Sequence, residues 1–187
     1  MSTRGPRTVS QTELWFLLER LNHWDRGACL RANRASRQQA ICFFFKAVSW
    51  LANGKFWYAL MLGLLLAFRG LAVQAVLHMV ATGLTCTFLY KWLKRRTLRP
   101  RPYQIDTNIF CATPPLDQFS FPSGHTLHAV AFSIVATAYY PWFAWLLLPF
   151  SLLIALSRVV LGLHYPSDVL AGAVIGAAVA VSALAVM

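Results

Sequence analysis

Ser157-Arg158-Val159-Val160-Leu161-Gly162-Leu163-His164-Tyr165-Pro166-Ser167-Asp168 is the stretch that decides the fold, because it places ionisable side chains between two apolar runs. Charge at the end of a membrane-length apolar segment is energetically costly and therefore usually functional. An imidazole with a carboxylate four residues later is typical of a nucleophile or base whose tautomer the acid fixes. The arginine adds a forked cation suited to phosphate. The same spacing also arises from surface contacts in ordinary helices, so this stretch alone leaves both interpretations open.

The composition indicates one membrane-embedded domain. The chain has 187 residues, of which 58% are hydrophobic and 12% charged, about half the charged fraction of a typical soluble domain. The apolar residues are gathered into long runs, as in integral membrane proteins. The net charge of +11 favours an anionic partner. Few aromatic-basic stripes remain outside the apolar runs, so we expect a phosphorylated lipid and the membrane, and no nucleic acid.

Residues 1–40 form a polar, arginine-rich arm. Leucines recur there at helical spacing and predict an amphipathic helix over about residues 11–24, lying at a membrane surface. The alternative is a solvated arm packed on the domain. No cleavable signal sequence is expected. The four cysteines have no metal-ligand spacing, so free thiols are expected.

Residues 41–187 are predicted to be the membrane-embedded domain. Asn53-Gly54 is a strong turn pattern that divides the first apolar region into two helices. The last helix carries small residues, including Gly172 and Gly176, for close helix packing. The predicted helices cover residues 41–53, 55–68, 71–93, 126–140, 142–163 and 169–187. This arrangement is an all-α polytopic bundle of about six helices. It brings the polar loop 94–123 and His164 to one membrane face.

The polar loop contains two further patterns. One is Lys94, six residues, then Arg101-Pro102. The other is Pro122-Ser123-Gly124-His125, which opens the next helix with Ser123 as its N-cap. A helix N-terminus binds phosphate oxygens readily, and glycine lets an oxyanion approach the backbone. Lys94, Arg101 and Arg158 are then candidates to surround the remaining oxygens.

The two histidines suit two steps of phosphoryl transfer. His164, oriented by Asp168, can attack phosphorus and form a phosphohistidine. His125 can protonate the leaving oxygen and later activate water. Taken singly, each residue has a structural explanation, such as a positive membrane flank for the cations or a helix-capping role for His125.

Together, the three patterns resemble the tripartite signature of the type 2 phosphatidic acid phosphatase family: Lys-x6-Arg-Pro, Pro-Ser-Gly-His and Ser-Arg-x5-His-x3-Asp. The resemblance covers about residues 40–187, and no signature position is missing. It implies a bundle of about six helices and metal-independent hydrolysis of phosphate esters or anhydrides through a phosphohistidine, with no cofactor. The related vanadate-dependent haloperoxidases are larger soluble proteins, so the membrane spans here argue against that branch.

The resemblance also implies the role of each residue. His164 is the nucleophile, His125 the acid and Asp168 the partner of His164. The implied phosphate-binding residues are Lys94, Arg101, Ser123, Gly124 and Arg158.

The expected function is therefore that of an integral membrane lipid phosphatase. A polyprenyl (undecaprenyl) diphosphate is the favoured substrate, and phosphatidic acid, phosphatidylglycerophosphate or another lipid phosphate is the alternative. A non-enzymatic lipid-binding membrane protein is a remote alternative, and it would not need His164, His125 and Arg158 together. No sequence feature decides the substrate or the oligomeric state.

The expected location is the cell inner membrane. Seven arginines before residue 40 place the N-terminus in the cytoplasm by the positive-inside rule. If the 41–53 and 55–68 helices both cross, six crossings put both termini inside and the active site on the extracytoplasmic face, as the resemblance favours. This orientation depends on the 41–53 helix, which is only about 20 Å long.

Overall fold

The computed structural model describes residues 11–186, with side chains from residue 19 onward, and within this range the chain is helical with no strand. The all-α fold predicted from the sequence is therefore confirmed. The helices are α1 (Gln11–Asn33), α2 (Gln39–Leu51), α3 (Lys55–Phe68), α4 (Val73–Thr97), α5 (Pro102–Ile105), α6 (Gly124–Tyr139), α7 (Ala144–Val160) and α8 (Pro166–Val186).

Helix α6 is the centre of the bundle and packs against α4, α7 and α8. Its contact with α8 is a backbone contact. A Cβ atom added at Gly172 would lie 2.6 Å from the carbonyl oxygen of Ser123, and one at Gly176 would collide with the carbonyl of Leu127. Small residues are what allow membrane helices to approach this closely. The small-residue face predicted for the last helix thus packs against α6.

The bundle has two ends. The loop end contains residues 98–123, the C-termini of α4 and α7 and the N-termini of α3, α6 and α8. The turn end contains the short turns Arg69–Ala72 and Pro141–Phe143, where Phe68 stacks on Tyr140 at a ring-centroid distance of 4.8 Å. Helices α3, α4, α6, α7 and α8 each run from one end to the other. By length and composition, the segments Lys55–Ile105, Pro141–Val160 and Pro166–Val186 are apolar enough to cross a membrane.

Helix α2 does not cross, and the prediction that residues 41–53 make a crossing is wrong. Asn53, just after α2, contacts His125 at the start of α6. Ser49 accepts a hydrogen bond from Arg158 near the end of α7. Near the start of α2, Cys42 packs on a buried cluster that contains Leu163. Both ends of α2 therefore lie at the loop end. The contacts of both α2 ends at the loop end, rather than its length of 13 residues, exclude a crossing, because α3 with 14 residues runs from one end to the other.

Helix α1 is longer than predicted and also lies at the loop end. It continues to Asn33, whose buried side-chain amide donates to the carbonyls of Phe110 and Val160, both at 2.9 Å. Asp25 and Cys29 on α1 are fully buried. The premise that the N-terminal region and the active site lie on opposite faces is therefore wrong. The leucines at 14, 17 and 18 lie outside the described side chains, so the surface-bound amphipathic helix stays a prediction.

Candidate active site

The structure brings most of the predicted site residues to one cavity at the loop end. This cavity has a volume of about 720 Å³. The predicted residues that line it are Lys94, Arg101, Gly124, His125, Arg158 and His164. Residues separated by seventy positions in the sequence thus converge because α4 and α7 end, and α6 begins, at the same end of the bundle.

Ser123 is placed differently from the prediction. It precedes α6 as expected, but its side chain is fully buried and its hydroxyl contacts the hydroxyl of Thr126 at 3.0 Å. It makes no side-chain capping bond to the helix backbone. The N–H groups at the start of α6 are therefore not occupied by Ser123, which leaves the helix N-terminus beside Gly124 open to an anion.

Lys94 and Arg101 are held together by a carboxylate that the sequence analysis missed. Asp117 Oδ1 accepts hydrogen bonds from Lys94 Nζ at 2.8 Å and from Arg101 Nη2 at 2.6 Å. Burial raises the pKa of Asp117, but the hydrogen bonds and positive charges of Lys94 and Arg101 outweigh it and hold the pKa below its usual value. Asp117 is therefore an anion bound by the two cations predicted to bind phosphate.

Arg158 is buried at the end of α7 and has an unused donor facing this region. Its Nη1 donates to Ser49 Oγ at 2.5 Å, while its Nε has no hydrogen-bond partner among the described residues. A buried guanidinium N–H without an acceptor is costly. An oxyanion in the cavity would satisfy it.

His164 is buried between α7 and α8. Its Nε2 lies 3.4 Å from Arg101 Nη1, and its Nδ1 lies 3.8 Å from Asp168 Oδ2, which is longer than a hydrogen bond. Burial, together with the nearby cations Arg158 and Arg101, lowers the pKa of His164 to about 3. The imidazole is therefore neutral at ordinary pH, and neutral imidazole is the form that acts as a nucleophile.

Asp168 is held by residues that the sequence analysis did not assign to the site. Arg99 Nη1 donates to Asp168 Oδ1 at 2.7 Å, and Arg99 Nη2 donates to Asp25 Oδ2 at 2.8 Å. The backbone N–H of Ser167 donates to Asp25 Oδ1 at 3.0 Å. Asp25 belongs to α1, so residues 1–40, which were predicted to be an arm before the membrane-embedded domain, supply part of the site. One arginine thus bridges two buried carboxylates.

His125 lies at the first turn of α6, across the cavity. Its Nε2 is 2.5 Å from the amide oxygen of Asn53. An amide oxygen only accepts hydrogen bonds, so this contact requires a proton on Nε2. Because Nε2–H is bound to Asn53, the ring can act as a general acid only as imidazolium, through a second proton on Nδ1. Asn53 was predicted only as a turn residue, and the sequence carries no pattern that links it to His125.

The lining of the cavity is suited to an oxyanion. Cations and imidazoles line it, and one side is apolar, with Trp57, Met61 and Phe132 among the lining residues. Within residues 19–186, no group of three or more His, Cys, Asp or Glu side chains is placed to hold a metal ion. The arrangement is suited to a phosphate-like group beside an apolar chain.

Comparison with known proteins identifies the family. The sequence profile of the PAP2 superfamily matches residues 71–187. The chain therefore belongs to the PAP2 superfamily, as the tripartite signature indicated.

Curated relatives match about half of the chain. The undecaprenyl-diphosphatase BcrC of Bacillus subtilis (strain 168) is 34% identical over 100 residues, covering 54% of this chain and 51% of that protein. The lipid A 1-phosphatase of Rhizobium etli is 32% identical, covering 53% of this chain and 44% of that protein. The decaprenylphosphoryl-5-phosphoribose phosphatase of Mycolicibacterium smegmatis is 40% identical, covering 43% of this chain and 42% of that protein. The chain spans about half the length of these relatives.

Two solved structures share the fold. The transmembrane PAP2-type phosphatidylglycerolphosphate phosphatase from Bacillus subtilis has a TM-score of 0.74 at 22% identity, and the alignment covers 92% of both chains. LpxE from Aquifex aeolicus has a TM-score of 0.73 at 27% identity, covering 84% of this chain and 92% of that one. The fold prediction is confirmed by both.

Proposed function

We propose that this protein is a membrane phosphatase that hydrolyses a lipid phosphate ester or diphosphate without a metal or cofactor. The observation that carries the proposal is the buried His164 with Nε2 at 3.4 Å from Arg101 Nη1, in a cavity that also contains His125 and an apolar wall. A nucleophile, an acid and phosphate-binding cations share one space. The relatives that match the chain, all named as phosphatases, support the same reaction.

The first chemical step is attack by His164. The phosphate displaces Asp117 from Lys94 and Arg101, and Arg158 Nε donates to a further oxygen. His164 Nε2 forms a bond to phosphorus while the bond from phosphorus to the leaving oxygen breaks, and that oxygen takes the Nδ1 proton of the His125 imidazolium, which becomes a neutral ring with its proton on Nε2. Asp168, 3.8 Å from Nδ1, stabilises the positive charge that develops on the His164 ring.

The second step restores the enzyme. His125, now without its proton, takes one from a water molecule as that water attacks phosphorus. The bond between phosphorus and His164 breaks, and inorganic phosphate leaves. Asn53 keeps the His125 ring in place during both steps because its amide oxygen accepts from Nε2.

A polyprenyl diphosphate such as undecaprenyl diphosphate is the substrate that we propose first. Lys91 and Arg95 line the cavity in addition to the buried cations, and both are exposed. Two cations at the cavity mouth suit a second phosphate group. Phosphatidic acid or phosphatidylglycerophosphate is the second candidate, since a single phosphate would use the buried cations alone.

Phosphate release by the purified protein in detergent tests the proposal. We expect turnover of undecaprenyl diphosphate, unaffected by excess EDTA and inhibited by vanadate, which mimics pentacoordinate phosphorus. Replacing Lys91 and Arg95 with glutamine should lower kcat/KM for the diphosphate and leave that for phosphatidic acid nearly unchanged. Equal losses on both substrates would contradict the diphosphate assignment. No release from any lipid phosphate would leave a non-enzymatic lipid-binding protein as the remaining function.

The cell inner membrane is the proposed location, and the apolar segments support it by length and composition.

A further inference from the structure

Positive charge is divided unequally between the two ends of the bundle. Residues 19–186 contain all lysines and arginines of the chain except Arg4 and Arg7, which makes fifteen. Fourteen of them belong to α1, to α2, to the turn between these two helices, or to the helix ends and loop of the loop end. The remaining one, Arg69, lies in a turn of the turn end.

The imbalance persists after the cations with a structural or chemical role are removed. The cations that line the cavity are Lys91, Lys94, Arg95, Arg101 and Arg158. Arg99 binds two carboxylates, and Arg26 pairs with Asp106. Without these seven, seven cations remain at the loop end against Arg69 at the turn end. The positive-inside rule applies to short connections near membrane helices, and both connections at the turn end are short.

Helix α2 gives a second indication of a membrane surface at the loop end. Phe43, Phe44 and Trp50 are exposed, and Lys55 Nζ lies 3.1 Å from the centre of the Trp50 ring. Exposed aromatic rings beside cations are typical of helices lying at the interface of an anionic leaflet. Since α2 does not cross, α1 and the cavity are on the same side of the membrane.

We infer that the active-site cavity opens to the cytoplasm. The positive-inside rule still places the arginine-rich N-terminal region in the cytoplasm. The observed helix arrangement places the cavity on the same side of the membrane as this region. Five crossings then leave the C-terminal end of α8 outside. This orientation replaces the predicted extracytoplasmic site. This orientation also assigns the lipid phosphate to the cytoplasmic leaflet. That assignment rests on the proposed function, but the orientation itself is independent of it.

Cysteine labelling of spheroplasts tests the orientation. The half-buried Cys42 and Cys111 are first replaced with serine, and the buried Cys29 and Cys86 are kept. Gly70→Cys probes the turn end, where an added Cβ meets no atom within 4 Å. Thr107→Cys probes the loop end at an exposed position.

We expect a membrane-impermeant maleimide to label the Gly70→Cys variant in intact spheroplasts and the Thr107→Cys variant only after permeabilisation. The opposite pattern would overturn the inference. Fusions to the C-terminus provide a second measurement: alkaline phosphatase there should be active and green fluorescent protein dark. An inactive alkaline phosphatase fusion would overturn the five-crossing topology. Neither measurement needs lipid hydrolysis, so failure of the orientation is distinguishable from failure of the proposed function.

A second inference rests on the contacts of Arg99 rather than on charge distribution. Arg99 joins Asp25 and Asp168, both fully buried. Asp25 lies outside the family match, which begins at residue 71. Two buried carboxylates and one guanidinium form a unit in which each member fixes the others. We propose that Arg99 and Asp25 are positioning residues that set the Asp168 carboxylate against His164, a role that rests on the proposed function.

A double-mutant cycle separates positioning from general stability. Arg99→Gln and Asp25→Asn should each lower kcat about tenfold with KM changed less than about twofold, because the phosphate-binding cations are intact. In an Asp168→Asn background, each should have almost no further effect. Arg99→Lys should recover part of the activity and serves as the variant most certain to fold. Arg96→Gln, at the exposed end of α4 and three residues before Arg99, is the matched control.

Equal losses in the wild-type and Asp168→Asn backgrounds would overturn the positioning role, since independent effects add. A change confined to the thermal unfolding midpoint, with kcat unchanged, would overturn it as well. If Asp168→Asn itself releases no phosphate from any lipid, the proposed function is tested by the wild-type protein instead, and the two failures remain distinct.

Discussion

The loop end and the turn end of this bundle are built from different side chains. At the loop end, buried charges are paired: Arg99 with Asp25 and Asp168, and Arg101 with Asp117. At the turn end, rings pack on rings, as Phe68 does on Tyr140 and Trp142. The same helices supply both ends, so the difference lies in the residues at their termini.

This contrast indicates that the loop end serves catalysis and the turn end serves stability. Buried ion pairs contribute little net stability, although breaking one is costly. Packed rings contribute stability and carry no reactive group. Changes at the loop end should therefore affect turnover, and changes at the turn end should affect unfolding. The following predictions are ordered by the expected size of the effect on turnover.

His164→Ala should lower kcat by about 10⁴-fold or more, a loss typical of removing a nucleophile. The unfolding midpoint in detergent should stay near that of the wild type, because the helices do not depend on the imidazole. Phosphate release and thermal unfolding measure the two properties on the same sample. Near-normal turnover by this variant would contradict the mechanism.

Asp117→Asn should have a smaller effect than His164→Ala, and it should strengthen the binding of an oxyanion in the cavity. The carboxylate occupies Lys94 and Arg101 at 2.8 and 2.6 Å, so removing its charge frees both cations for an oxyanion. We expect vanadate to inhibit the variant at a concentration several-fold lower, which corresponds to about 1 kcal/mol for a partly exposed charge pair. Inhibition that requires more vanadate would mean that Asp117 orients the cations instead of competing with phosphate.

Phe68→Ala at the turn end should leave kcat/KM within about twofold and lower the unfolding midpoint. Loss of the stacked pair with Tyr140 removes about 0.5–1.5 kcal/mol beyond the buried area. Phe68→Leu is the matched control, since it keeps most of the volume. A large loss of turnover at unchanged stability would show that the two ends are coupled.

The pH dependence of stability should contain a contribution from His164. Its pKa is lowered by burial to about 3, against an ordinary value of 6.5. Between these values the unfolded chain binds more protons, so stability rises with pH and falls on acidification. We expect the unfolding midpoint to drop from pH 6.5 towards pH 4 in the wild type and to drop less in His164→Asn. Identical pH profiles would contradict a buried, neutral His164.

The fold class and the convergence of most cavity residues could both be predicted from the sequence. The reason is physical. Lys94, His125 and His164 lie at or near helix ends, and the number of crossings between them is fixed by two apolar runs, 126–140 and 142–163. Once those runs are counted, the three side chains must share a face. This part of the prediction needed no knowledge of side-chain packing.

The features that the sequence analysis missed or predicted wrongly also have physical causes. Asp25 contacts Ser167 across 142 positions, and no periodicity or spacing links such residues. Asp117 lies in an irregular loop, where local sequence does not fix position. The mistake over α2 arose because an apolar helix at an interface and a short crossing helix have similar composition. That single error reversed the predicted relation between the N-terminal region and the active site.

The phosphohistidine is the most direct test of the central claim, which is that His164 attacks phosphorus. The protein is mixed with a radiolabelled lipid phosphate, quenched in alkali within one turnover and digested for mass spectrometry. We predict an acid-labile, alkali-stable phosphate on the peptide that contains His164, and none in His164→Ala. Phosphate on another residue, or turnover with inversion of configuration at phosphorus, would contradict the account.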